Sequence, residues 1–517
     1  MPTGLRIVRS TYRDSVSLMQ LSARIAALAG VEQASVVMAT EGNLALLREA
    51  GLLDEPVSAS PGDLLAIVRG ATPEAIEAAL AEAERGLSAP ATQGARRVAR
   101  EAAPRSLQSA LAAMPEATLA LISTPGEYAA AEALKALRLG LHAMLFSDNV
   151  SVADERMLKQ EAREHGLLVM GPDCGTAIVG GVPLGFANAV RPGPIGVIGA
   201  SGTGMQQVTS LADRAGVGIS HALGTGGRDL RAEIGGATML AALDELAADA
   251  GTRVLVLVSK PPAPEVARRV LERARHAGKP VVACFLGTNA KEVEGGGVVA
   301  AATLEDAAAM AAALARGERA APAAATLPAF QDPGLHSGQR YVRGLYSGGT
   351  FCYEATLLLS GQLENVRSNT PVSRARELEN TWRSAGHTLV DLGDDEFTRG
   401  RPHPMIDHRL RNERIVREAE DPEVAVLLLD VVLGYGAHPD PAREMVPALR
   451  AARAAAERAG RRLALVGFVC GTEGDPQGLA RQETALREAG MVLTGSNAQA
   501  ARLAAAMVSA HGTAGRT

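Results

Sequence analysis

The stretch Gly193-Pro-Ile-Gly-Val-Ile-Gly-Ala-Ser-Gly-Thr-Gly204 constrains the fold of this chain more than any other. Ile195 to Ile198 reads as a short buried parallel strand. The small-residue turn behind it opens a segment, Met205 to Ala215, with helical spacing. A strand, a turn of small residues and a helix start bring backbone N–H groups and the positive end of a helix dipole to one point. Phosphate or a phosphorylated substrate is the natural occupant of such a point. Glycines alone are weak evidence, because many tight turns carry them. The same logic returns near the other end of the chain, where Val424 to Val432 runs into Gly434-Tyr-Gly-Ala-His-Pro439.

At 517 residues the chain exceeds one hydrophobic core, and three or four domains are expected. Hydrophobic residues make up 47%, aromatic ones only 3%, and 55 residues are glycine, which suits α/β layers joined by many tight turns. A net charge of -5 offers no basic footprint for nucleic acid or an anionic membrane. Cys174, Cys284, Cys352 and Cys470 are widely spaced with no C-x-x-C pair, which argues against disulfides and a zinc cage. The first residues lack a signal-type apolar core, and no apolar span of roughly 18 residues stands outside Ala-rich amphipathic helices. A cytoplasmic protein is expected.

Strand and helix patterns alternate along four units. The first, 1–87, has strands expected at Leu5–Arg9, Ala34–Ala39 and Leu64–Val68, with a linker at 88–105. The second, 106–190, has strands at Leu119–Ser123, Ala143–Phe146 and Leu167–Met170. The third, 191–318, begins with the glycine turn and continues through Ile219–Leu223, Val254–Val258 and Val281–Leu286. A Pro/Ala-rich linker at 316–338 leads to the fourth, 339–517, with strands at Leu389–Leu392, Val424–Val432, Leu463–Val469 and Met491–Leu493. Repeated βα alternation predicts right-handed crossovers and parallel sheets, with ligand crevices at the carboxyl ends of strands.

Gly171-Pro-Asp-Cys-Gly175, Gly196-Val-Ile-Gly-Ala-Ser-Gly-Thr203, Gly226-Gly-Arg-Asp229 and Glu233-Ile-Gly-Gly236 look like strings of the alpha subunit of succinyl-CoA synthetase, in the same order. Leu429-Asp-Val-Val-Leu-Gly-Tyr-Gly436 and Gly471-Thr-Glu473 resemble the carboxy-terminal ligase domain of its beta subunit. Four further strings extend the match: Asp14-Ser-Val-Ser-Leu-Met19, Met144-Leu-Phe-Ser-Asp-Asn149, Gly344-Leu-Tyr-Ser-Gly-Gly349 and Gly400-Arg-Pro-His-Pro-Met-Ile-Asp407. With them, the chain resembles the FdrA family over nearly its full length. The resemblance implies a multidomain α/β fold. A small N-terminal domain (1–87) precedes a Rossmann-like CoA-binding-type domain (106–190). Flavodoxin-like succinyl-CoA synthetase-type ligase domains follow, alpha-like at 191–318 and beta-like at 339–517. It also implies a subunit of an oxamate carbamoyltransferase in allantoin and purine breakdown, working in a heteromeric complex. Such an enzyme interconverts oxamate plus carbamoyl phosphate with oxalurate plus phosphate. The alternatives are a CoA-dependent acyl ligase or transferase, and a scaffolding subunit without a catalytic base.

The departures from the synthetase pattern carry as much weight. The alpha subunit places a phosphorylated histidine in a Gly-His-Ala-Gly loop, and the matching region here, Gly287–Gly297, has no histidine. No ATP-grasp domain is recognisable. Anion-binding turns without a phosphoryl carrier favour chemistry on a ready-made acyl phosphate such as carbamoyl phosphate. By the resemblance, two facing helix N-termini hold the phosphate, at Ser201-Gly202-Thr203 and Gly434-Tyr435-Gly436. A weakly nucleophilic amide needs a general base near neutral pH, for which His403 and His438 are candidates, with Asp407 to orient the imidazole. Arg228 and Arg401 are candidates for the substrate carboxylate. His221 reads as structural, Asp394, Asp395 and Glu396 as a solvated cap, and Cys174 and Cys470 as small buried residues. Two histidines in one loop are too few for a metal site, and none is expected.

Overall fold

The first sheet follows from alternation with a period of two. β1 (Thr3–Val8), α1 (Ser15–Ala26), β2 (Val31–Met38), α2 (Glu41–Glu49), β3 (Leu64–Gly70) and α3 (Pro73–Ser88) succeed one another, and the antiparallel sheet has the order β1-β3-β2. On β3 both faces are apolar. Leu64, Ala66 and Val68 pack with Leu21, Ile25 and Leu80 of α1 and α3, while Leu65 and Ile67 pack with Leu44 and Leu47 of α2. The computed structural model describes residues 2–11, 13, 15–53, 57–88, 104–324, 334–399 and 401–514. The linker expected at 88–105 falls largely on residues 89–103, outside the described residues, as does much of the one at 316–338.

A three-stranded sheet of order β4-β5-β6, with β4 and β5 paired in parallel, comes next, built by α4 (Leu107–Ala113), β4 (Leu119–Ile122), α5 (Gly126–Arg138), β5 (His142–Leu145), α6 (Val152–Glu164) and β6 (Val169–Met170). The chain divides into two compact units, Met1–Val169 with Asp395–Asp407, and Met170–Asp394 with His408–Thr517.

The second unit contains two seven-stranded sheets. The first half runs β7 (Thr176–Val179), β8 (Val182–Gly185), β9 (Pro192–Gly199), α7 (Gly202–Arg214), β10 (Ile219–Gly224), α8 (Ala237–Ala248), β11 (Val254–Ser259), α9 (Pro264–Arg275), β12 (Val281–Phe285), α10 (Ala290–Val293), β13 (Val298–Ala300) and α11 (Leu304–Ala315). Its sheet order is β13-β12-β11-β9-β10-β7-β8. Strands β9 to β13 pair in parallel, and the β7–β8 hairpin adds antiparallel to the β10 edge. That hairpin lies within 106–190 by sequence, yet it pairs with β10 and so belongs to the sheet that follows. The expected boundary at 190 therefore shifts to about 170.

The second half runs β14 (Tyr341–Tyr346), α12 (Gly349–Ser360), β15 (Val366–Ser368), β16 (Arg376–Glu377) and β17 (His387–Asp391); the chain then passes through α13 (Asp395–Thr398), which belongs to the first unit, and the second unit resumes with α14 (Arg409–Glu420), β18 (Val424–Val432), α15 (Pro441–Arg458), β19 (Ala464–Cys470), α16 (Leu479–Glu488), β20 (Met491–Thr494) and α17 (Asn497–Ala514). Its order is β16-β15-β17-β14-β18-β19-β20, with every pairing parallel. In both sheets the central strand, β9 or β14, is the point where successive strands stop adding on one side and start on the other. The crevice at such a switch point is where α/β sheets bind ligands.

Candidate functional site

At the first switch point, Gly199 permits a close approach. A Cβ there would meet Met205 Cγ at 2.6 Å and the Val258 carbonyl at 3.2 Å. Ser201 is extended (φ −162°) and caps α7, its hydroxyl accepting from the Gly204 amide at 3.1 Å. The first two amides of α7, Gly202 and Thr203, precede any intrahelical acceptor and remain free for a ligand.

At the second switch point the cap is Gly348, which has no side chain to cap with. The turn is held from outside. Asp430 on β18 accepts from the Ser347 amide (2.8 Å), the Ser347 hydroxyl (2.8 Å) and the Gly348 amide (2.9 Å). Arg411 on α14 neutralises it at 2.7 Å, and both side chains are fully buried. Ser347 and Gly348 have handed their amides to Asp430, which leaves those of Gly349 and Thr350 at the helix start.

The two helix starts meet. Ser201 Oγ lies 2.7 Å from Thr350 Oγ1, and a Cβ on Gly348 would fall 3.1 Å from Thr203 Cγ2. Each start carries roughly half a positive charge, so their apposition raises a potential that an anion relieves. Lys260, half-buried just beyond β11, adds to it. Its Nζ stands 5.3 Å from the Tyr353 ring centroid, and among the described residues it has no ion-pair partner. Asp391, at the end of β17, brings the opposite charge. Its Oδ1 accepts from the Gly393 amide at 2.9 Å, and a Cβ on Gly349 would overlap Oδ2. Burial raises this carboxyl to about 6 against the pull of Lys260.

The structure distributes the expected site residues unevenly. Ser201, Gly202 and Thr203 stand at a helix start, with Ser201 as the cap of α7. Gly434, Tyr435 and Gly436 do not form the second. They precede no helix start, since α15 begins at Pro441 behind the cap Asp440. The Gly434 amide donates to Gln477 and the Tyr435 amide to the Ala187 carbonyl. The partner of the first turn is 347–350 instead. His403 Nδ1 accepts from the Met405 amide (3.2 Å) and His438 Nδ1 from the Asp440 amide (3.0 Å). In a neutral ring so held, Nδ1 is the acceptor and the proton stands on Nε2. Asp407 donates its amide to the His403 carbonyl, and both belong to the first unit while His438 belongs to the second. Arg228 and Arg401 are likewise divided between units. All four cysteines are buried, and burial pushes Cys352 and Cys470 up to about 12.

Lys260, Asp391, Thr350 and the Asp430–Arg411 pair were missed from sequence. Lys260 follows the expected strand Val254–Val258, and Thr350 follows Gly344–Gly349, a string resembling the family. Nothing local joined the two.

Residues 190–287 match a family described as CoA binding domain, 345–507 one described as CoA-ligase, and 1–104 one described as AllF, heavy metal-associated domain. Over 509 residues, 98% of either chain, the sequence is 44% identical to YahF of Escherichia coli (strain K12). The chain belongs to the FdrA family. This FdrA-family chain is also 28% identical over 183 residues to the succinate–CoA ligase [ADP-forming] subunit alpha 2 of Archaeoglobus fulgidus, covering 34% of this chain and 61% of that one. The dinucleotide-forming acetyl-coenzyme A synthetase 1 of Ca. Korarchaeum cryptofilum aligns with 77% of this chain and 83% of its own at 16% identity, with a TM-score of 0.32.

Residues 1–104 of this FdrA-family chain contain no cysteine and no histidine, so the thiolate and imidazole donors that hold soft ions are missing. Among the described residues no group of three or more His, Cys, Asp or Glu side chains converges. No helix of the described residues is long and apolar enough to cross a membrane.

Proposed function

We propose that this chain is a subunit of an oxamate carbamoyltransferase of allantoin and purine breakdown. Its reaction converts oxamate and carbamoyl phosphate to oxalurate and phosphate, within a complex that includes other subunits. The reading is carried by the meeting of α7 and α12 at their first turns beside the unpaired Lys260. Carbamoyl phosphate leaves its phosphate behind as the acyl group moves, and negative charge grows on that phosphate in the transition state. Free amides of Gly202, Thr203, Gly349 and Thr350 stabilise such growth without reorganising. Lys260 supplies the full charge. The region after β12, Gly287–Gly297, has no imidazole to carry a phosphoryl group, so phosphate departs as phosphate.

A second reading, a ligase acting on CoA thioesters, is favoured by one observation. A cleft of about 1030 Å³ between α8 and α9, inside the segment matching a CoA-binding family, is floored by Leu240, Leu243 and Leu271 and edged by Arg268 and Arg269. Those arginines suit the phosphates of CoA.

One assay separates the two. The assembled complex, given carbamoyl phosphate and oxamate without ATP or CoA, should release phosphate and form oxalurate. Lys260→Met should weaken carbamoyl phosphate binding about 10- to 100-fold, since a hydrogen bond to a charged group contributes about 1.5–3 kcal/mol. Product formed only when CoA is present would favour the ligase.

A further inference from the structure

We propose that Asp391 is the proton acceptor of this site, and that anion binding between α7 and α12 is linked to its protonation. The inference rests on reading the opposed turns as an anion site, and it adds the group that handles the proton. Asp391 is 7% exposed and its position is fixed on both sides of the chain. Its amide donates to Asn369 Oδ1 and its carbonyl accepts from Asn369 Nδ2, both at 2.9 Å. Oδ1 is occupied by the Gly393 amide. Oδ2 lies against Gly349, the first residue of α12, and no hydrogen bond reaches it among the described residues. An unpartnered carboxylate oxygen of a buried side chain, set at a helix start, is a resident anion. A phosphate arriving at the same amides must share them with that charge or find it neutralised.

The charged and titratable groups around Asp391 come from every neighbouring element. Lys260 follows β11, Asp430 sits on β18 already paired with Arg411, and Asp394 stands three residues along its own loop. The buried Cys352 thiol belongs to α12. Lys260 favours the ionised carboxylate, whereas burial, Asp394 and Asp430 favour the acid. The balance leaves Asp391 able to hold or lose a proton near neutral pH, as a base for a weakly acidic amide requires.

In the forward reaction the acceptor nitrogen attacks the carbonyl carbon and an N–C bond forms. The amide proton moves to Asp391 Oδ2. The C–O bond to phosphate breaks with its electron pair on the phosphate oxygen. Loss of the carboxylate charge and gain of phosphate charge at the same helix starts offset one another.

Sulfate tests this, because it does not titrate between pH 5 and 8. Calorimetric titration of the full chain at pH 6.5, in two buffers of different ionisation heat, should show uptake of about half a proton or more per sulfate bound. Wild-type affinity should fall about tenfold or more between pH 5 and 7.5. Asp391→Asn should bind without proton uptake and with affinity independent of pH. Glu354→Gln, which removes the other buried carboxyl raised into this range (about 7), should retain the linkage. Should Asp391→Asn fail to fold, Lys260→Met serves in its place: removing that cation should extend proton uptake to higher pH. Sulfate bound with no proton uptake, or linkage surviving in Asp391→Asn, overturns the inference while leaving the anion site standing. No sulfate binding at any pH overturns both.

Discussion

The two switch points of the second unit reach nearly the same backbone by opposite means. At α7 the turn is held by its own sequence, through the Ser201 hydroxyl on the Gly204 amide. At α12 the cap is a glycine, and the turn hangs from Asp430, 82 residues away from Gly348 in the chain. The strands beside them differ too. Register places Gly224 opposite Gly199 in one sheet and Asp391 opposite Tyr346 in the other. One half therefore supplies a locally built turn together with the cation of Lys260 beyond β11, and the other supplies the buried carboxylate of Asp391 and the remote support of Asp430. Duplicated architecture has kept the geometry and divided the chemistry.

The sharpest way to break the comparison is Asp430→Ala. It strands Arg411 as a fully buried, unpaired cation and removes the acceptor for two amides, which should cost about 3–5 kcal/mol. Urea denaturation of the full chain would show this as a lower midpoint. The double substitution Arg411→Met with Asp430→Leu should recover much of the stability, yet leave the α12 turn without its anchor and anion binding weak. A loss below about 1 kcal/mol for Asp430→Ala would mean that the α12 turn holds itself as α7 does.

The next effect concerns pH. Burial raises the Asp391 carboxyl from its ordinary value of 3.8 to about 6 in the folded chain. Its contribution to stability is present below the unfolded value and is lost as pH rises through the folded one, by up to about 3 kcal/mol. Asp391→Asn should flatten the stability curve between about pH 4 and 6. An unchanged slope in thermal unfolding across that window would remove Asp391 as a burdened carboxylate. A smaller perturbation copies one half onto the other. Gly348→Ser places a Cβ 2.6 Å from Phe351 Cδ2 and 3.1 Å from Thr203 Cγ2, an overpacking that should cost about 1–3 kcal/mol despite adding a hydroxyl cap.

The same division explains what the sequence disclosed. The α7 turn was legible because strand, glycines, capping serine and helix lie within about twenty residues, and local devices leave local patterns. The layering and most strands were legible for the same reason. The α12 turn was passed over for Gly434–Gly436, which also follows a buried strand. The distinction lies in Gln477 and Ala187 consuming those amides, and both partners are distant in sequence. Lys260 lay just beyond the expected strand Val254–Val258, and Asp391 inside the expected strand Leu389–Leu392, with nothing local to mark either. Only folding sets the two on one crevice. The imidazoles of His403 and His438 were read as candidate bases from their loops, and the backbone amides two residues downstream that meet Nδ1 leave no pattern in the sequence.

The mildest test converts the α7 cap towards its counterpart. Ser201→Ala removes a capping acceptor and should cost about 1 kcal/mol, while Ser201→Gly should cost only a few tenths beyond the lost contact with Thr350, because glycine tolerates a cap position. A double-mutant cycle with Thr350→Val isolates that contact, and hydroxyls 2.7 Å apart should couple by about 0.5–1.5 kcal/mol. Coupling near zero would mean that the helix starts merely face one another, each fixed by its own half. Measurable coupling means that the two halves hold each other at the point where the two helix starts meet. A locally built turn and a remotely anchored one then act as a single cradle.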